Sequence, residues 1–392
     1  MTCQYGYHGS MLFAAPTLDA KDLDVVASIN DLRRALRIHL YEPRRWKGQL
    51  RRNLKARAIR GSNSIEGYDV SLDDALALIE DEEPLDADKR TAMEIIGYRN
   101  ALTYIQQLAD DSEFMLDESL LRSLHFMMLG HDLSKSPGRW RQKPIFVHDE
   151  ERNIQVYEGP DHEEVPTLMR ELVGVLQKPA DDPVFVRAAM AHLNLVMIHP
   201  FRDGNGRMAR ALQTLVLARE KILAPEFSSI EEWLGRNTTA YYNVLADVGA
   251  GAWHPQRDAH RWVRFNLVAH HMQAQTVLRR VEDASKTWIE LDKVVAATRL
   301  HERTQYALYP AALGLKVRRA VYEKDAEVEV GSANRDLRMM VNAGLLVAHG
   351  ETRARYYMAT DRLRELRRAV IQERHPLIDP YDSGNEFGLR LS

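Results

Sequence analysis

The sequence predicts a mainly helical protein that carries one β-hairpin and ends in a small α+β domain. Three observations predict it. Apolar residues recur at three-four spacing through most of the first 300 residues, the mark of amphipathic helices. Strand signals in that stretch narrow to one pair of short runs flanking a polar turn near residue 150. Beyond residue 330 the pattern changes to helix, strand, turn, strand. The chain has 392 residues, room for two to three domains at about 150 residues each.

The elements follow in order. Residues 22–39 carry Leu23, Val26, Ile29, Leu32, Leu36 and Ile38, close to the three-four spacing of an amphipathic helix. Residues 44–60 are crowded with basic side chains, interleaved with Leu50, Leu54, Ala58 and Ile59, and read as a solvated helix face rather than a nucleic-acid patch. Helices are expected over 88–110 and over 118–129, the latter behind the cap Asp117. Pro144–Val147 and Ile154–Tyr157, joined by a polar turn at 149–153, form the hairpin. Helices resume at 163–176 and 183–198, with Pro183 in the first turn behind Asp182. The segment VFVRAAMAHLNLVMI is apolar on nearly every side, so it belongs in the middle of a bundle. Composition shifts at Gly249–Ala252, and a helix over 257–281 links to the last domain. The expected division is an N-terminal helical region at 1–90, a core at 91–250, a linker helix at 251–284, an α+β domain at 285–370 and a tail at 371–392.

Composition narrows the function classes. Hydrophobic residues make up 45% and charged residues 28%, which excludes disordered and fibrous chains. Lys and Arg number 53 against 56 Asp and Glu, so the chain as a whole is no polyanion binder. The single cysteine, Cys3, has no internal partner, and a reducing, cytoplasmic setting is expected. There is no run of about eighteen apolar residues, hence no expected membrane span, and the N-terminus does not read as a signal peptide.

Chemistry concentrates in HPFRDGNGRMAR, residues 199–210. A buried helix ends at Pro200, a glycine-rich turn follows, and a new helix begins near Gly206. Its unpaired N–H groups and positive dipole end make an anion site. Gly204 and Gly206 let backbone approach phosphate oxygens. Arg207 and Arg210 share a face and suit phosphates, Asp203 suits a bridging Mg²⁺, and His199 suits a general base for a hydroxyl. Together they point to phosphoryl or nucleotidyl transfer. No P-loop pattern exists in the chain, and no second histidine has zinc-ligand spacing.

The stretch matches H-P-F-x-[DE]-G-N-G-R-x-x-R throughout and so resembles the signature of the Fic family, the protein AMP-transferases. The resemblance extends over residues 45–245. It implies an all-α bundle with a hairpin called the flap, here Ile145, Phe146, Val147 and His148, lying beside the nucleotide and pairing with an extended target segment. It implies His199 as base, Asp203 as Mg²⁺ ligand, and an ATP site made by Gly204, Asn205, Gly206, Arg207, Met208, Ala209, Arg210 and Tyr241. Tyr241 and Tyr242 resemble tyrosines that border the adenine, although Gly249 stands where some relatives have asparagine. Relatives with lysine at position 206 act as kinases, and Gly206 favours AMP transfer. His192 occupies a position where the family often has histidine, and reads more simply as a structural histidine in a buried helix. Upstream, Ser62-Asn63-Ser64-Ile65-Glu66-Gly67 resembles the family's inhibitory motif, [ST]-x-x-x-E-[GN], with Ser62 and Glu66 on one helix face. The activity implied is transfer of AMP from MgATP to a Ser, Thr or Tyr hydroxyl of a protein, checked by Glu66. Two alternatives stay open: a de-AMPylase in which Glu66 activates water, and a DNA-binding regulator with a nucleotide-sensing core.

In the last domain, 331–341 reads as a short helix closed by Asn342-Ala343-Gly344. Runs at 345–348 and 355–358 follow, about a turn at 350–352. The string resembles winged helix-turn-helix domains. Arg335, Arg338, Arg353 and Arg355 are its candidate phosphate contacts, with Asp336 and Glu351 among them. DNA binding, homo-oligomer formation and the identity of the protein target are left open.

Overall fold

The computed structural model describes residues 10–41, 43–149, 154–179, 181–219, 221, 223–351, 355–372, 374–381, 387 and 389. The expected turn at 150–153 and Arg353 lie outside them. The first elements are α1 (Ala20–Tyr41), α2 (Lys47–Ile65), α3 (Leu72–Ile79), α4 (Lys89–Asp110) and α5 (Glu118–Leu129). The hairpin β1 (Phe146–Asp149) and β2 (Ile154–Glu158) follows. Then come α6 (Val165–Gln177), α7 (Val184–Ile198), α8 (Asn205–Ala218), α9 (Pro225–Ser228), α10 (Glu231–Arg236), α11 (Thr238–Gly249) and α12 (His260–Thr298). The chain ends with α13 (Gln305–Ala312), β3 (Val317–Arg318), α14 (Arg319–Ala326), α15 (Val330–Asn342), β4 (Leu346–His349), β5 (Tyr356–Ala359) and α16 (Asp361–Gln372).

Local chemistry sets the starts. The Asp117 carboxylate accepts the Leu120 N–H at 2.7 Å, Asp88 accepts from Arg90 and Thr91, and Ser71 accepts from Asp74. Each satisfies a donor that the first helical turn leaves unpaired. Pro183 sits one place before α7 rather than inside its first turn. The apolar α7 lies in the centre, with Phe185, Ala188, Leu193 and Ile198 all buried. β1 and β2 pair antiparallel with an irregularity between Val147 and His148, and Ile145 lies just outside the strand.

Two apolar cores result. The first gathers α1 to α8, α10, α11 and the front of α12 around Leu124, Leu193, Leu212 and Trp262. The second joins Leu36 and Leu40 of α1, Leu50 and Leu54 of α2 and the C-terminal unit. The basic stretch is therefore solvated on one side only. The expected linker helix is also longer than its sequence pattern suggests. α12 runs on to Thr298 because Val281, Ala284, Trp288, Leu291 and Val295 continue its apolar stripe into the second core. In the C-terminal unit the sheet order is β3-β5-β4, all antiparallel. Asp336 is not among the surface charges there: it is buried against Arg303 at 2.6 Å and the Tyr322 hydroxyl at 2.8 Å.

One crossing sets where α2 sits. A Cβ on Gly61 would lie 2.5 Å from the Glu231 carbonyl oxygen, and one on Gly235 would lie 2.7 Å from the Gly61 carbonyl oxygen. Backbone meets backbone there, so only glycine fits. Gly61→Ala should lower stability by about 1–3 kcal/mol, the usual cost of overpacking. Gly174→Ala in α6, where the added methyl meets nothing within 4 Å, should raise it by about 0.5–1 kcal/mol. Denaturant titration of both variants checks this, and equal effects would remove the argument from close approach.

Candidate active site

The α7–α8 turn is held by the chain's own contacts. His199 ends α7 in the left-handed region, at φ 52° and ψ 57°. Its Nδ1 is 3.0 Å from the Val196 carbonyl; donating a proton there leaves Nε2 as the free acceptor. The half-buried ring is held below its ordinary pKa by burial, with the Arg141 charge adding to it. The Val196 bond, Glu66 and Asp203 act the other way. Arg141 also fixes the segment, bonding the His199 carbonyl through Nε at 2.9 Å and the Pro200 carbonyl through its backbone N–H at 2.8 Å.

Asn205 closes the loop. Its Oδ1 accepts the Phe201 N–H and its Nδ2 donates to the Phe201 carbonyl, each at 2.9 Å. Its side chain is therefore engaged within the turn. Phe201 stacks on His125 at 3.7 Å, and His125 Nε2 is 2.9 Å from the Asp203 carbonyl. Burial pushes His125 down to about 4, so it stays neutral. Gly204 caps α8 at φ 75°, a conformation that favours glycine. A Cβ on Gly206 would meet Glu66 Oε1 at 2.5 Å.

The two buried arginines of α8 form separate pairings. Arg210 donates through Nε to Ser62 Oγ at 2.7 Å, and through one Nη to the Ser62 carbonyl at 3.0 Å and Glu66 Oε1 at 2.7 Å. Arg207 pairs with Glu94 of α4 at 2.5 Å, and both side chains are 1% exposed. Burial alone would raise the Glu94 carboxyl, but Arg207 and Lys135 outweigh it and hold it at about 2. Lys135 then bridges Glu94 at 2.7 Å and Asp203 at 2.9 Å. The chain of charge runs Arg207, Glu94, Lys135, Asp203, alternating in sign.

The structure thus brings together His199, Asp203, Gly204, Gly206, Arg207, Arg210, Ser62 and Glu66. Met208 and Ala209 point into the core instead, and the Met208 N–H is bonded to the Gly204 carbonyl. Tyr241 is buried, its hydroxyl 3.0 Å from His192 Nε2. Tyr242 is the half-exposed ring, and it donates to the Ile65 carbonyl beside Glu66. His192 is the buried structural histidine expected, with Gln213 on its other nitrogen at 2.7 Å. Phe146 and His148 are exposed along the hairpin, and Ile145 and Val147 are half-buried. Sequence reasoning missed Glu94, Lys135, His125 and Arg141. For Glu94 a signal existed, since it lies in phase with Tyr98, Ala101 and Ile105 on the apolar face of α4.

Comparison with known proteins shows what this chain is similar to. Residues 115–217 match the Fic/DOC family. The protein adenylyltransferase Fic of Nematostella vectensis is 31% identical over 164 residues, 40% of this chain and 36% of that protein. The protein adenylyltransferase fic-1 of Caenorhabditis elegans is 29% identical over 211 residues, 52% of this chain and 39% of its own length. The chain thus spans well under half the length of these relatives. Among solved structures, a Fic family protein from Desulfovibrio desulfuricans superposes with a TM-score of 0.56 at 21% identity, covering 88% of this chain and 98% of that one. Fic-1 of C. elegans superposes at 0.52 with 23% identity, over 66% and 72%. The chain therefore carries a Fic/DOC domain on the fold seen in solved Fic proteins.

Proposed function

We propose that this chain transfers AMP from ATP to a protein hydroxyl, and that Glu66 holds the reaction in check. One observation carries the reading. A carboxylate of the chain's own already lies against Gly206 and Arg210, at the N-terminus of α8. That position attracts anions through backbone N–H groups and helix dipole. What Glu66 takes is what a phosphate would take.

The roles follow. Backbone at Gly204–Gly206 cradles the phosphates, and Arg207 and Arg210 offset their charge. Asp203 presents one carboxylate, 41% exposed, which fits Mg²⁺, an ion that takes one or two carboxylates and fills its shell with phosphate oxygens and water. Bound there, Mg²⁺ would offset phosphate charge. His199 Nε2 takes the proton of a Ser, Thr or Tyr hydroxyl as that oxygen bonds the α-phosphorus, and pyrophosphate leaves. The exposed β1 edge is the surface we assign to the target segment.

The C-terminal unit is read as a winged helix, supported by its helix-strand-helix-helix-strand-strand order. Its charges favour packing over DNA: Lys316, Arg318 and Lys324 pair with Asp86, Glu82 and Glu80, and Arg52 pairs with Asp325. No helix among the described residues is long and apolar enough to cross a membrane, and we place the protein in the cytoplasm on its cysteine usage.

His199→Ala should reduce transfer from α-labelled ATP by about 10² to 10⁴-fold while ATP still binds. Because His199 is held below 6.5, the neutral base persists as pH falls, and the acid limb of the transfer rate should lie below pH 6.5. A folded His199→Ala protein that transfers at the normal rate would exclude this base.

Glu66→Gly should raise transfer, seen first as self-modification by intact mass, by about 5- to 150-fold, the range of ordinary coupling between sites. Glu66 is still 23% exposed and within reach of water, which favours keeping the AMP-removing reaction as a second reading. That reading expects Glu66→Gly to lose removal of AMP from a modified protein. Assaying both directions on both proteins separates them.

A further inference from the structure

We infer that Lys135 acts as the built-in counter-cation of Asp203, occupying the place that a nucleotide-bound metal takes and setting how strongly that metal couples to the nucleotide. The inference rests on the assignment of Asp203 as metal ligand. Both Asp203 oxygens are engaged: Oδ1 accepts the Gly204 N–H at 2.6 Å, and Oδ2 meets Lys135 Nζ at 2.9 Å. A divalent ion coordinates a carboxylate oxygen at about 2.1 Å, so an ion on Oδ2 would sit within a few ångströms of the ammonium, and the repulsion between the two cations favours the ammonium letting go.

The lysine is placed, not stray. Residues 133–135 form a short 3₁₀ turn whose Ser134 carbonyl accepts Arg202 Nη1 at 2.8 Å. That bond ties the turn to the signature loop. Glu94 holds Nζ from the other side at 2.7 Å, and the Tyr68 ring lies 5.8 Å away. Glu94 is committed to Arg207 as well, so an ammonium that leaves Asp203 keeps its partner. Lys135 can therefore yield Oδ2 without being stranded.

Two consequences follow for a diphosphate nearby. Without metal, the ammonium cancels a carboxylate charge that would otherwise repel phosphate. With metal, displacing the ammonium subtracts from the metal's benefit. Lys135 is thus a positioning residue that weakens metal dependence from both directions.

The experiment measures ADP affinity with and without Mn²⁺ by fluorescence of a labelled ADP, in wild type, Lys135→Gln, Lys135→Arg and Asp203→Ala. The ratio of the two affinities should be about tenfold larger in Lys135→Gln than in wild type, the effect of about 1.4 kcal/mol of like-charge repulsion. Lys135→Arg, which keeps the charge and protects against loss of the fold, should stay near wild type. A purely structural lysine would weaken both affinities alike and leave the ratio unchanged, which overturns the inference. If the ratio falls in Asp203→Ala yet is unaltered in Lys135→Gln, only the Lys135 role fails. If it is unaltered in Asp203→Ala, the metal assignment fails with it.

Discussion

A guanidinium taken out of water has to be met by an acceptor, because leaving it unpaired in the interior costs several kcal/mol. Helix α8 takes in two of them, Arg207 and Arg210, each 1% exposed. Their acceptors cannot come from α8 itself. Glu94 arrives from α4, and Ser62 and Glu66 arrive from the end of α2. The packing of the N-terminal helices on the bundle is thus dictated by where two positive charges must be satisfied. The apolar contacts of the first core then fill the space around that arrangement.

For α2 the requirement is strict in distance as well as in direction. Ser62 reaches Arg210 because Gly61 lets α2 approach α10 backbone to backbone, opposite Gly235. The same helix is anchored at its other end, where Leu50 and Leu54 enter the second core and Gln49 and Arg52 bond Asp325. One helix therefore spans both cores and carries at its tip the residue that touches the anion cradle. Between its anchors, burial raises the Glu231 carboxyl to about 7, and the group accepts from Thr214 at 3.2 Å. Near neutral pH that carboxyl is only about half ionised, so it competes with Glu66 for Arg210 less than a full carboxylate would.

Much of this was legible in the residues. The spacing of 199–210 placed the base, the turn and the two arginines, because a helix end and a helix start have fixed consequences for which groups point where. The caps Asp117 and Ser62's four-residue offset from Glu66 are local in the same sense. What escaped notice was the pairing across the fold. Nothing near Lys135 or Glu94 in the chain says that one will bridge the other to Asp203. Tyr241 and Tyr242 are adjacent and alike in type, yet one is buried on His192 and the other half-exposed. Which ring faces inward depends on how α11 rotates against α12, and a composition of two tyrosines carries no information about that rotation. The end of α12 was misplaced for a related reason: its stripe never stops, but the core that it faces changes.

Burial sorts the permanent partners from the exchangeable ones. The turn from His199 to Asn205 is held by Arg141, by the reciprocal Asn205–Phe201 bonds and by the His125 stack. All of these involve groups sealed from solvent, so the cradle keeps its shape whether filled or not, and no reorganisation is needed when charge develops on a bound phosphate. Glu94 and Ser62 are equally sealed and stay on their arginines. Glu66 and Lys135 are different. Both contact solvent, and both hold a group that the proposed reaction needs for itself, Arg210 in one case and Asp203 in the other. When either lets go, its own charge passes to solvent, while Ser62 stays on the buried Arg210 and the Gly204 N–H stays on Asp203. The site can therefore be rigid in its backbone and still exchange its charges. The two partners that must move are the two that water can reach.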